Sequence, residues 1–176
     1  LASEPGQGGQ LELSSGRFRT RLSLAPAEGY PELLVPEGED KGAFPLRTRM
    51  PSGELVKALT HVRYAASNEE YRAIFRGVQL EFSPQGFRAV ASDGYRLALY
   101  DLPLPQGFQA KAVVPARSVD EMVRVLKGAD GAEADLALGE GVLALALEGG
   151  SGVRMALRLM EGEFPDYQRV IPQEFA

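Results

Sequence analysis

The chain has 176 residues, of which 44% are hydrophobic and 24% charged, and its formal net charge is -5. This length suits one full domain with additional residues, and this composition can fill a hydrophobic core. The lack of cysteine excludes disulfides, thiolate nucleophiles and cysteine-ligated metal sites, and the single histidine, His61, removes most imidazole metal sites. No signal segment and no apolar run of bilayer length is found, so the expected location is the cytoplasm, with no membrane partner.

The negative charge is unevenly distributed along the chain. Residues 44 to 110 carry 8 basic and 6 acidic side chains, whereas the residues on either side of them are net acidic. An acidic protein with a locally basic segment can still contact a phosphate backbone on one face. The charge therefore argues against a simple basic nucleic-acid binder but leaves local DNA contact open.

The first 43 residues have the features of a domain end and a linker. Apolar and polar residues alternate through "LELSSGRFRTRLSLA", which predicts half-buried strands. The stretch "PELLVPEGEDKGAFP" combines three prolines with a charge run, as is typical of a linker. A new unit is therefore expected to open near Phe44.

Residues 45 to 102 predict a strand, a helix and then three strands. "PLRTRM" precedes a helix start at Pro51 with Ser52 as N-cap. The helix is followed by strands at "RAIFRGVQLEFS", "FRAVAS" and "YRLALYDLPL", with a hairpin signal at Asp93-Gly94. One helical face is expected to be buried; it carries Leu55, Leu59, Val62 and Ala66.

The same order then repeats. "AKAVVP" predicts a strand, and Ser118 with Glu121 forms a capping box ahead of a second helix, with Val119, Met122, Val123 and Leu126 on one face. Three further strands lie in "DLALGEGVLALALEGGSGVRMALRLMEG". The predicted fold class is therefore α+β: a strand-helix-three-strand unit taken twice, with antiparallel sheets and both helices on one face.

Three motifs resemble those of one family. "SDGYRLALYDLPLP", "AVVPARSVDEMVRVL" and "EGEFPDYQRVIP" are similar to the middle domain of the bacterial sliding clamp, the β subunit of the replicative DNA polymerase. "AEGYPELLVPEG" is a looser copy of the third motif, as expected if each clamp domain closes with such a phrase. The resemblance implies the end of a first domain over residues 1–36, a linker over 37–43, the middle domain over 44–172, and the start of another linker over 173–176. It also implies that the sequence is a fragment.

The resemblance implies a non-catalytic processivity factor without cofactor or metal. Full-length clamps form homodimeric rings around double-stranded DNA, and they recruit the DNA polymerase III α subunit, the clamp loader, other polymerases and repair proteins through short peptide motifs. The positions that match the family's peptide pocket are Phe75, Ser92, Gly94, Tyr95, Arg96, Leu97, Pro165, Arg169 and Val170. The candidates for loose DNA contact are Lys57, Arg63, Arg72, Arg117, Arg124 and Lys127.

Two other classes of function stay open at this point. An enzyme could use Glu69, Glu70 and Asp93 as acid-base carboxylates beside Arg96, but no phosphate loop, nucleophile elbow or metal-ligand spacing accompanies them. A β-rich structural or assembly module without DNA function would also satisfy the helix-strand repeat.

Overall fold

A computed structural model of the chain describes residues 9–26, 28, 42–129, 131–147 and 152–172. The chain divides into two compact units, residues 1–33 and 34–176. Most of the predicted linker at 37–43, and all of residues 173–176, lie outside the described residues. The predicted domain boundaries therefore stay predictions. In the ranges that are described, no helix has the length and apolar character needed to cross a membrane.

The described part of the first unit is a hairpin of β1 (Gln10–Ser15) and β2 (Phe18–Ser23), which pair antiparallel. The predicted strands are confirmed, but their predicted half-burial is wrong for most of the apolar residues. Phe18 is 64% exposed and Leu22 is 47% exposed. The described residues of this unit supply only these two strands, and a two-stranded hairpin alone buries little apolar surface.

The second unit contains the predicted repeat. Its first half comprises β3 (Leu46–Pro51), α1 (Ser52–Arg63), β4 (Gly77–Ser83), β5 (Gly86–Ser92) and β6 (Leu97–Leu102). Its second half comprises β7 (Ala110–Pro115), α2 (Ala116–Lys127), β8 (Glu133–Gly139), β9 (Val142–Leu147) and β10 (Arg154–Arg158). The α+β fold class is thus confirmed.

The two halves exchange their first strands. One antiparallel sheet has the order β10-β9-β8-β3 and the other has the order β6-β5-β4-β7. Each sheet therefore joins three consecutive strands of one half to the first strand of the other half. The two helices pack against each other, α1 against β5 and β6, and α2 against β7 and β4. This exchange locks both halves into one core, which includes Leu55, Leu59, Phe82, Met122 and Leu126.

Both predicted helix caps are wrong. α1 begins at Ser52 itself, and the Ser52 hydroxyl donates to the Ala129 carbonyl at 3.0 Å instead of capping the helix. α2 begins at Ala116, so Ser118 lies inside the first turn and makes no cap. In both cases a strand ends in a proline, Pro51 or Pro115, and runs directly into the helix. The fixed φ of proline suits the residue that precedes a helix and leaves no loop for a capping box.

The predicted strand at "RAIFRGVQLEFS" is partly wrong. Residues Ala73–Arg76 form a 3-10 turn, and the strand begins only at Gly77. The Ser67 amide donates to the Phe75 carbonyl at 2.8 Å, which holds the turn against the chain that follows α1. This tertiary contact overrides the β-propensity of Ile74 and Phe75.

Candidate functional site

The face of the sheet β6-β5-β4-β7 that points away from the helices carries a second, smaller apolar cluster. Val90 on β5 and Val113 on β7 form its floor, and Phe164 and Tyr167 cover them. Phe164 and Tyr167 belong to residues 161–172, here called the domain-end segment. Leu97 and Ile171 pack at the margin of the cluster. The "FPDY" motif thus attaches the domain-end segment to the sheet through two buried aromatic rings.

Phe75 approaches the cluster from the 3-10 turn before β4. Its ring meets the ring of Phe164 edge to face, with 6.2 Å between the ring centroids. Predicted site residues from three separate parts of the chain, namely Phe75, Leu97 and the domain-end segment, therefore lie around one apolar cluster. Within the domain-end segment Val170 is 71% exposed, so it presents apolar surface to solvent beside the buried anchors.

The turn between β5 and β6 forms a polar margin next to Leu97. The Asp93 carboxylate accepts hydrogen bonds from the Tyr95 and Arg96 amides at 3.0 Å each and pairs with the Arg96 guanidinium at 3.0 Å. These bonds hold the pKa of Asp93 below its ordinary value, and the hydrogen bonds from the two amides make the largest contribution. The Ser92 hydroxyl donates to the Arg96 carbonyl at 2.8 Å, and Gly94 adopts φ +89°. The predicted hairpin is confirmed, with Asp93–Arg96 as its loop.

Arg72, predicted as a DNA contact, lies at this turn. Its Nη1 donates to the Asp93 carbonyl at 2.7 Å, and its guanidinium lies 5.2 Å from the Tyr95 ring centroid and 5.8 Å from that of Tyr71. Cation-π contacts of this kind add to the hydrogen bond in fixing the side chain. The sequence predicted Arg72 as a DNA contact from the loop after the first helix, but it carried no sign of the contact with Asp93, because that contact joins residues 21 positions apart.

The helix layer carries the other predicted DNA contacts. Arg117 and Lys127 are exposed, Lys57 pairs with Glu54 at 2.7 Å, and Arg124 pairs with Glu121 at 2.7 Å. The hydrogen bond to Glu54 raises the pKa of Lys57. Arg63 instead braces the two helices: its Nε donates to the Ala116 carbonyl at 2.8 Å and its Nη2 pairs with Asp120 at 2.7 Å.

The two helices together carry five basic and three acidic side chains. The layer is therefore weakly positive although the chain as a whole has a charge of -5. In the ranges that are described, no group of three His, Asp or Glu side chains is placed to hold a metal ion.

The comparisons with known proteins agree with this architecture. Residues 49–166 match the family "DNA polymerase III beta subunit, central domain". The "Beta sliding clamp" of Haemophilus influenzae is 32% identical over 162 residues, which cover 92% of this chain and 42% of that protein. The crystal structure of the DNA polymerase III subunit beta from Pseudomonas aeruginosa superposes with a TM-score of 0.81 at 28% identity, over 93% of this chain and 43% of that one.

A second P. aeruginosa sliding-clamp structure, bound to griselimycin, has a TM-score of 0.78 at 27% identity, over 94% of this chain and 42% of that one. The class that fold and sequence define is thus the α+β DNA-clamp domain. The chain belongs to the DNA polymerase III beta subunit family and contains its central domain. It spans about two fifths of the length of the relatives that it matches.

Proposed function

We propose that this chain is part of a sliding clamp, a non-catalytic processivity factor that recruits its partners through a short peptide bound on the outer face of β6-β5-β4-β7. The observation that carries the proposal is the apolar cluster around Phe164, with Phe75, Leu97 and Val170 around it. Exposed apolar surface beside fixed polar groups is the usual composition of a peptide site.

The proposed roles follow from the contacts. Leu97 and Val170 present apolar surface to the side chains of the peptide, and Phe75 and Pro165 flank them. Arg169 is 84% exposed at its side chain and pairs only at the surface, with Asp166 at 2.8 Å, so it can turn toward a peptide carboxylate. Arg96 and Ser92 are tied to the turn and keep its shape, while Gly94 and Tyr95 form its exposed tip.

In the proposed whole protein this domain is one of three in each protomer of a dimeric ring around double-stranded DNA. The weakly positive helix layer then faces the DNA, with Lys57, Arg117, Arg124 and Lys127 as the main contacts and Arg63 and Arg72 held more firmly by protein groups. Acidic neighbours limit the affinity for phosphate, as is required of a protein that slides.

The test is a titration of a fluorescein-labelled clamp-binding peptide from the polymerase III α subunit, with its scramble as control. It is made with this chain and with the longer protein that carries the family's third domain. We expect saturable binding by the longer protein, weaker binding by this chain and no binding of the scramble. Because a P. aeruginosa clamp binds griselimycin, that compound is expected to compete with the peptide.

Three variants and one control locate the site. Arg169→Glu is expected to weaken binding at least tenfold, whereas Arg158→Glu, an exposed charge reversal on β10, leaves it unchanged. Leu97→Glu is expected to abolish binding, and Val170→Glu repeats the test at a residue exposed enough to tolerate a charge. Equal affinity for the peptide and its scramble, or unchanged binding in both Leu97→Glu and Val170→Glu, would reject the proposed site.

A further inference from the structure

The domain-end segment is held by a polar contact as well as by its two buried rings. Tyr167 opens the 3-10 turn Tyr167–Val170, and its side chain is 5% exposed. The Tyr167 hydroxyl donates to Glu81 Oε1 at 3.1 Å and accepts a hydrogen bond from Arg88 Nη1 at 3.3 Å. Both the donor and the acceptor capacity of the phenol are therefore used by charged groups.

These charged groups form one row across all four strands. In the strand registers Asp101 on β6 lies opposite Arg88 on β5, Arg88 lies opposite Glu81 on β4, and Glu81 lies opposite Lys111 on β7. The charges thus alternate along the row. Arg88 forms two bonds with Asp101, at 2.5 and 2.9 Å, and Lys111 lies 3.5 Å from Glu81.

The row carries several hydrogen bonds at the point where Tyr167 joins it. Glu81 Oε1 accepts a second hydrogen bond from Gln79 Nε2 at 2.6 Å, and the Gln79 side chain is buried. The bonds to Asp101 and to Tyr167 raise the pKa of Arg88, so its charge is fixed. A buried tyrosine whose hydroxyl meets only such fixed partners has one favoured orientation.

We propose that Tyr167 is a positioning residue for peptide binding. Its hydroxyl, held between Glu81 and Arg88, sets the orientation of the turn Tyr167–Val170 and thereby places Arg169 and Val170 at the peptide site before the peptide arrives. The inference rests on the proposed peptide site. The rings of Phe164 and Tyr167 keep the segment on the sheet, and the hydroxyl fixes its rotation.

The test is Tyr167→Phe in the longer protein, because this change keeps the buried ring and removes only the hydroxyl. We expect the affinity for the labelled α-subunit peptide to fall about fivefold to tenfold, mainly through faster dissociation, since a turn that must be ordered on binding lowers affinity. Tyr100→Phe is the matched control: Tyr100 lies on β6 and packs toward the helices, beside His61. It is expected to bind as the wild type does.

Amide hydrogen exchange separates positioning from general destabilisation. In Tyr167→Phe the amides of residues 168–171 are expected to exchange at least fivefold faster, while those of β4 and β5 keep the wild-type rate. Glu81→Gln retains an acceptor oxygen for the phenol and is expected to bind peptide nearly normally. Glu81→Leu, which has no acceptor, is expected to reproduce the loss seen in Tyr167→Phe.

The outcomes distinguish this inference from the proposed function. Wild-type affinity in Tyr167→Phe, together with loss of binding in Leu97→Glu, overturns the positioning role and leaves the peptide site in place. Faster exchange at 168–171 without any loss of affinity also overturns it. Unchanged binding in Leu97→Glu and Val170→Glu removes the peptide site, and the positioning role with it.

Discussion

Replacing Gly94, at the tip of the turn between β5 and β6, with alanine is expected to destabilise the fold through two separate effects. Gly94 has φ +89°, and a Cβ atom added to it would lie 2.7 Å from Arg72 Nη1. Gly94→Ala therefore combines backbone strain with displacement of the arginine that donates to the Asp93 carbonyl. A positive φ costs an alanine about 1 to 2 kcal/mol. The loss of a hydrogen bond from a guanidinium that is 29% exposed adds about 1 kcal/mol.

A matched glycine isolates the two contributions. Gly141 has φ +68°, and nothing lies within 4 Å of its added Cβ, so Gly141→Ala should show the backbone cost alone. Urea unfolding of the chain is expected to place Gly94→Ala about 1 kcal/mol below Gly141→Ala in free energy of unfolding. In an Arg72→Ala background this excess should disappear, because the side chain that collides is gone. Equal costs for Gly94→Ala and Gly141→Ala in the wild-type background would refute the reasoning.

Three further predictions concern stability, pH and DNA. Phe164→Ala should cost about 3 kcal/mol in urea unfolding, since the ring is buried, whereas exposed Val170→Ala should cost less than about 0.5 kcal/mol. Because folding lowers the pKa of Asp93, the stabilisation that its carboxylate gives the folded state is complete above the ordinary aspartate pKa and is lost as pH falls through the folded pKa. The difference in free energy of unfolding between wild type and Asp93→Asn should therefore shrink as the pH is lowered through this range. An NMR titration of the Asp93 carboxyl with a midpoint at or above the ordinary value would contradict this prediction. Lys127→Ala should lower the salt slope of duplex DNA binding by the longer protein by about 1, whereas Lys111→Ala, on the outer sheet face, should leave it unchanged.

The repeat and its helices could be predicted because their signals are local. Leu55, Leu59 and Val62 recur at helical spacing and are buried, and Gly86 follows a two-residue turn between alternating strands. The exchange of β3 and β7 between the sheets could not be predicted, since it depends on where each helix crosses the core. The predictions of the two helix caps were wrong because a strand that ends in proline runs directly into each helix.

In the candidate site, too, the residues within local motifs could be predicted and the contacts between distant residues could not. Leu97, Pro165 and Val170 were predicted through the resemblance of their motifs to those of a family. Tyr167 stood in the same motif, but its role depends on Glu81, which is 86 residues away along the chain. Gln79 and Glu81 alternate with apolar residues on β4, and Arg88 does so on β5, which marks all three as polar residues of one sheet face. The alternation does not identify the residue that covers them, because Tyr167 is distant in the sequence.

The two faces of the second unit differ in how firmly their charges are held, and this difference bears on the proposed function. On the helix layer Lys57 and Arg124 pair with acids one turn away, an arrangement that is worth little in water and is easily exchanged for phosphate. On the outer sheet face Arg88 and Glu81 are bonded across strands and to a buried phenol. A protein held on DNA by a closed ring needs only weak, exchangeable contacts with the duplex, whereas a site that must select one peptide among many needs walls of fixed shape. The arrangement therefore favours selective recognition on the sheet face and loose contact on the helix face, which is the division of labour that a sliding clamp requires.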